Sequence, residues 1–452
     1  MKIWMDVMRD LEHVMDDYQR CFDAWQAGGV DGIVLGPMMF NASKLLPTLK
    51  RPKDALPPAA TYDPNPKIYE RLGVPAPEAP EPMPQRRALL EKMLGHAKDR
   101  GMTLMIFQPM AGTAPMGEAH TLADARVRTS TIARMVDTFE HYPMIDGGVM
   151  DRPEWSYEIA SGHVVQPLFD DLPAEVAPLC ARLGYDYEAL VAAKDRLHRR
   201  LCSLDVRRVR RHGGGGLFDS FSLLGRDPDL MAWFQFRVES VTDYFRDVRQ
   251  GVASHLGHPI QLGVGPRTSA FALLSGYDFA QLAEFMDVLL PKHYFWDRGF
   301  DGLVGTVRLY VRTLCDWNPG LTDADALAVV QSLFGLVLPG VTCRADLDRA
   351  FTPEFFQRIV ASETARALAV VDDPNRIVPW VDAGRFPHDG DPVSANDLRQ
   401  LLEASAQAGL ERFLYHHHGN MTAGEWSVMS EMCGQRWEPE PDGYRPPDRF
   451  EL

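Results

Sequence analysis

Tyr142-Pro-Met-Ile-Asp-Gly-Gly-Val-Met-Asp-Arg-Pro-Glu-Trp-Ser-Tyr-Glu-Ile159 is the stretch that decides the fold. Residues 144–150 are short, apolar and bounded by Pro143 and Pro153, the pattern of a strand buried on both faces in a parallel sheet. Asp151, Glu154 and Glu158 follow, with Trp155 and Tyr157 between them. A buried parallel strand that opens onto carboxylates and aromatics is what a closed barrel of alternating strands and helices presents at its active face.

Seven more runs of the same kind lie on either side: residues 2–7, 32–36, 103–107, 259–265, 286–290, 377–381 and 412–415. Helical periodicity fills many of the gaps, over 12–27 (ending at Gly28 and Gly29), 85–100, 122–140 and 395–408. Thr422 and Glu425 have the spacing of a capping box that starts a last helix. The proline-rich stretch 50–84 is too long for a simple connection and is expected to be a rim loop. Eight strands with helices between them predict a (β/α)8 barrel over residues 1–436. Two large, mainly helical insertions, 152–258 and 297–375, are placed on the active face, and 437–452 is a C-terminal tail. A doubly wound open sheet also accommodates the pattern.

Composition narrows the function by exclusion. The 452 residues are 45% hydrophobic and 24% charged, an ordinary globular mix. A net charge of −15 excludes nucleic acid as the main partner, which would need a basic face. No apolar run approaches the roughly 18 residues of a membrane span, so no membrane partner is expected. The N-terminus runs directly into a strand-like segment, and a cytoplasmic protein is expected. The six cysteines are far apart, without a C-x-x-C, and read as buried free thiols. Gly263-Val-Gly265 is too sparse for a dinucleotide fingerprint, and no phosphate-binding loop is present. No cofactor and no resident metal are expected.

The strand ends carry the chemistry. In a barrel, Asp6, Gln108, Asp151, Glu154, Arg267, Lys292, His293, Asp382, His416 and His417 would converge on one pocket, which suits a polyhydroxylated or charged ligand. Trp4, Trp155, Tyr294, Trp296 and Trp380 are candidate platforms for sugar rings. Asp151 or Glu154 is expected to act as acid, its pKa raised by Trp155 excluding water, with Asp382 opposite as base or nucleophile. Two carboxyls roughly 5–5.5 Å apart give retention, and roughly 6.5–9.5 Å inversion. Trp155, Glu158, Arg267, Lys292, His293, Tyr294, Trp296, His416 and His417 are the expected substrate-binding residues. Neighbours on a strand point to opposite faces, so at most two of His416, His417 and His418 can share a pocket. The plainer alternatives are an Asp151 paired with Arg152, Arg267 or Lys292, and an Arg237–Glu239 ion pair on a helix.

Taken together, residues 145–158, 262–267, 290–296 and 413–420 resemble TIM-barrel glycoside hydrolases, especially bacterial members without an assigned substrate. The fourth-strand pattern is also similar to the Asp-Gly-x-x-x-Asp-x-Glu of chitinase-like barrels. Here Val149 replaces an inner acidic residue, and Glu154 falls one position late, after Pro153. The resemblance implies roles for Asp146 and Asp151 and a carbohydrate substrate. The expected function is hydrolysis of a glycosidic bond in an oligosaccharide or glycoside. The alternatives are a metal-dependent hydrolase or lyase using His416, His293 and Asp151, and a non-catalytic sugar-binding barrel.

Overall fold

The structure is a computed structural model and describes residues 1–8, 10–36, 62–77, 84–108, 121–160, 168–170, 172–385 and 388–447. Eight parallel staves form the sheet: β1 (Lys2–Asp6), β2 (Val30–Leu35), β3 (Thr103–Gln108), β4 (Gly147–Met150), β5 (Gln261–Val264), β6 (two pieces, Val288–Leu289 and Lys292–His293), β7 (Trp380–Val381) and β8 (Arg412–Tyr415). β1 pairs with β2 on one side and with β8 on the other.

The two pieces of β6 stand at opposite ends of the strand order, yet they belong to one segment. Pro291 divides them, because it has no N–H to give to a ladder. On one flank Leu290 N donates to Val264 O (2.8 Å) and Lys292 N to Pro266 O (2.9 Å). On the other, Val378 N donates to Leu289 O and Trp380 N to Pro291 O, both 2.9 Å. β6 is therefore bonded on both sides, and the sheet closes as a (β/α)8 barrel rather than an open doubly wound sheet.

The period-two alternation of strands sorts side chains between two cores. Trp4, Val34, Met105, Val149, Leu290, Trp380 and Leu414 pack together inside the cylinder. Ile3, Ile33, Leu104, Leu262, Val381 and Phe413 face outward into the layer shared with the helices. Trp4 fits because its neighbour on β2 is glycine: a Cβ on Gly32 would lie 2.4 Å from the indole.

The helices correct several sequence expectations. The helix expected over 12–27 is two, Leu11–Asp16 and Tyr18–Ala27. Within the expected rim loop 50–84, residues 50–61 and 78–83 lie outside the described residues. The described part contains the helix Pro66–Leu72, which lies against Ala125–His141 on the barrel's outside, where the Tyr69 hydroxyl donates to Asp137 Oδ2 at 2.9 Å. The stretch 152–258 holds the helices Ala177–Leu183, Tyr187–Leu201, Val206–His212 and Leu217–Leu224, then Pro228–His255. That last, 28-residue helix also packs on Ala125–His141, with Arg128 Nη1 3.0 Å from Asp243 Oδ2, so it belongs to the barrel's outer ring. In 297–375, Leu303–Trp317 and Asp323–Phe334 pack against the first set of helices: Asn318 donates to Leu201 O (2.7 Å) and Arg210 pairs with Asp325 (3.0 Å).

The tail folds back onto the barrel as far as residue 447. Tyr444 stacks edge-on with Trp25 and Trp426, and its hydroxyl lies 2.8 Å from His418 Nε2. Residues 448–452 lie outside the described residues. Among the described residues, no helix is long and apolar enough to cross a membrane, and the six cysteines are free.

Candidate active site

The inward face of each stave turns polar at its C-terminal end. Two residues beyond Trp4 comes Asp6, beyond Val149 Asp151, beyond Leu290 Lys292, beyond Trp380 Asp382, and beyond Leu414 His416. The same alternation that fills the barrel with apolar side chains therefore aims these five at one end of its interior.

Lys292 and Asp151 form one side of the centre, with Lys292 Nζ 2.8 Å from Asp151 Oδ1 and 5.8 Å from the centre of the Trp380 ring. Burial pushes the Asp151 carboxyl up, but Lys292, Arg267 and Arg152 outweigh it and hold the group below its usual range. Asp382 and Asp6 form the other side. Asp382 accepts from Gly384 N at 2.7 Å, with His388 Nδ1 at 3.3 Å and His416 Nε2 at 3.9 Å. Asp6 accepts from Met8 N at 2.6 Å and is hydrogen-bonded to His416 Nδ1, with His417 Nδ1 at 3.6 Å. Burial raises both carboxyls, and the neighbouring imidazoles more than reverse it, so both titrate low. The Tyr294 hydroxyl lies in the field of Asp382, Asp151 and Asp301; burial first and these charges second push its pKa well up. It has no hydrogen-bond partner among the described residues.

Glu154 is placed differently from its expected role. Arg267 Nε stands 2.9 and 2.8 Å from its two oxygens and Nη2 bonds Oε1 again, while Nη1 pairs with Asp301. The guanidinium also sits over the Tyr157 ring at 5.3 Å. Glu154 is thus a buried strut that ties the segment after β4 to the one after β5, with neither oxygen left to act as an acid. Arg267 in turn holds Asp301 far below the usual carboxylate range against the effect of burial.

Of the expected residues, Asp151, Lys292, Tyr294, Asp382, His416 and His417 come together. Trp155 does not: its indole donates to Ser240 Oγ (2.9 Å) and packs on Phe236, against the helix Pro228–His255. Glu158 faces Thr306 of the helix Leu303–Trp317. His293 takes the outward register next to Lys292, tilts against Phe295, and burial lowers its pKa to about 3. The trio His416, His293 and Asp151 is therefore not assembled. Trp296 is a wall behind the centre, donating to Phe300 O (3.1 Å) and packed on His388. His418 turns away to Asp10 and Tyr444, so two of the three consecutive histidines share the centre. Asp146 precedes β4 and pairs with Lys98 (2.7 Å) at the opposite end of the stave. Arg237 is buried and donates to Leu274 O (2.7 Å) and Ser156 O instead of pairing with Glu239.

Asp301 and His388 are the members that the sequence reading missed. Both follow strand ends, after β6 and β7, but at a distance of several residues, and both sit beyond a turn. The signal for Asp301 was an ionisable residue beside a glycine, Gly302, in the post-strand segment; for His388 the nearest glycine, Gly390, is two residues on.

The fold and centre together define a (β/α)8 barrel with a carboxylate- and histidine-rich mouth. No protein-family model matches the chain, and no curated protein matches it. Among solved structures, the PgaB (BpsB) glycoside hydrolase domain from Bordetella bronchiseptica is similar at 10% identity and a TM-score of 0.48, over 94% of this chain and 98% of that one. A GH18 chitinase from Pseudoalteromonas aurantia is similar at 9% and 0.42, over 97% and 100%. The spore cortex-lytic enzyme SleL of Bacillus cereus follows at 8% and 0.41, over 95% and 74%. The first two are glycoside hydrolases by name. At these identities and scores the likeness decides nothing about the chemistry, and the barrel rests on the hydrogen bonds that close it.

Proposed function

We propose that the protein hydrolyses glycosidic bonds in an oligosaccharide or glycoside at the mouth of the barrel. The supporting observation is that Asp151, Asp301 and Asp382 arrive from three separate segments, each held against a basic partner, Lys292, Arg267 and His388. Carboxylates arriving from different staves can flank a sugar ring, which acetal hydrolysis requires. Asp151, kept ionised by Lys292, suits the nucleophile or base, and Asp382 opposes it from the seventh stave. The leaving oxygen then takes its proton from an imidazole beside Asp382, His388 or His416, since imidazole is the side chain that carries a proton near neutrality. Phe107, partly exposed and packed on Trp380, offers an apolar face to the ring.

Asp151→Asn and Asp382→Asn, checked by thermal unfolding to be folded and assayed on a panel of chromogenic glycosides, are each expected to lower kcat by about 100- to 10,000-fold. Parent-like turnover in both variants sinks the reading. A glycoside that binds the parent without being turned over moves the protein to the class of sugar-binding barrels.

A further inference from the structure

Asp382, His388 and His416 bring three donor atoms together in one buried cluster. All three residues are buried, at 2%, 4% and 3% exposure. Their donors lie within 4.8 Å of one another. Asp382 Oδ2 and His388 Nδ1 stand 3.3 Å apart, yet neither makes a hydrogen bond among the described residues, because the approach lacks the alignment of an N–H···O bond. Polar atoms left without a hydrogen bond in a dry place are costly unless something satisfies them. The spacing approaches that of a shared ligand shell. Bonds of about 2.0–2.2 Å to a tetrahedral ion put neighbouring donor atoms roughly 3.3–3.6 Å apart, and the distances from Asp382 Oδ2 are 3.3 and 3.9 Å.

The far side of His416 supplies a second, independent sign. Its Nδ1 is hydrogen-bonded to Asp6 Oδ2. A carboxylate in that place accepts a hydrogen bond from Nδ1–H, which fixes the tautomer and leaves Nε2 as a lone pair on the side of Asp382. This is how metal-binding imidazoles are oriented from behind. A third sign is the Tyr294 hydroxyl, 1% exposed and without a hydrogen-bond partner among the described residues. Its ring lies 4.9 Å from that of His388 and 6.4 Å from that of His416.

We infer that Asp382, His388 and His416 form a binding site for a divalent transition-metal ion of the zinc class, with Asp6 orienting His416 and a fourth position open to water or a substrate oxygen. Two imidazoles and one carboxylate make an open zinc-type set; magnesium and calcium, which take oxygen ligands, do not suit it. The inference does not rest on the glycosidase reading, but it bears on it. A metal and a proton compete for the same imidazole lone pairs, so a loaded site would silence the proton transfer assigned to His388 or His416.

The test uses the full chain, stripped with a chelator and titrated with zinc chloride by calorimetry, with cobalt(II) as the spectroscopic probe. One ion per chain is expected, with the visible absorption of four-coordinate cobalt. Asp382→Asn and His388→Gln are expected to weaken zinc binding at least tenfold. Asp6→Asn should weaken it by about 10- to 100-fold, the range for partners behind the ligands, while His255→Gln changes nothing. Zinc should raise the Tm of the parent and not that of His388→Gln, whose metal-free melt shows whether it folds. A folded parent that binds no zinc overturns the inference, as does equal affinity in folded Asp382→Asn and His388→Gln. Glycoside turnover by the stripped chain bears on the hydrolase reading alone, so failure of either is read separately.

Discussion

Arg267 shows how a single side chain can turn an expected catalyst into structure. It takes Glu154 and Asp301 out of water together, and all three are nearly enclosed. Removing one partner of a buried ion pair leaves an uncompensated charge, which typically costs about 3–5 kcal/mol. Arg267→Leu is expected to lose about that much in urea unfolding; a loss within experimental error would mean that the carboxylates find water. Nothing in the local sequence around Glu154 announces this, since its partner is 113 residues away. Asp151 and Asp382 were legible because they stand directly on strand ends. Asp137 carries a second residue-scale prediction. Burial raises its pKa from 3.8 to about 6, partly opposed by hydrogen bonds from Asn65 N and the Tyr69 hydroxyl. The native state therefore holds this proton more tightly than the unfolded chain does. The resulting stability is fully present below the unfolded value and is lost as pH rises through about 6. Unfolding free energies measured from pH 4 to 7 should fall with pH at this site, and Asp137→Asn should flatten the slope. A slope unchanged by the substitution would assign the pH dependence elsewhere.

Among the elements, the staves were legible and the helices less so, for a physical reason. A strand buried on both faces must be apolar throughout, so its signature does not depend on what surrounds it. An amphipathic helix looks the same whether it lies on the barrel's outer ring or in an insertion, so the sequence could not say that Pro228–His255 would pack on Ala125–His141. Prolines misled in the rim stretch: Pro66 stands in the first turn of the helix Pro66–Leu72, behind an Asn65 cap whose side chain accepts from Lys67 N, where a missing N–H costs nothing. Register between staves is tight enough to test. A Cβ on Gly147 would lie 2.0 Å from the carbonyl oxygen of Gln261 on β5, a backbone atom that cannot rotate away. Gly147→Ala is expected to destabilise by about 1–3 kcal/mol, measured by the urea midpoint. A neutral result would show that β4 and β5 can part without loss.

At the scale of the whole molecule, the two ends of the chain are packed together. Trp437 donates to Tyr444 O at 3.1 Å, and Tyr444 covers Trp25 and Trp426, so residues near both termini share one aromatic cluster. Tyr444→Ala should cost about 3–5 kcal/mol, as deletion of a buried ring does. It should also make residues 434–447, after the helix Ala423–Cys433, the first site of limited proteolysis; a parent-like digestion pattern would show that the cluster does not hold this segment in place. The bond between Asp6 and His416 joins positions 410 residues apart. A ribosome delivers β1 long before β8. At about 5–20 residues per second, a nascent chain spends on the order of tens of seconds with that edge of its first strand open. Any chaperone that guards unpaired strand edges has its opportunity then, and a chain released early would lack His416 and the β1–β8 pairing.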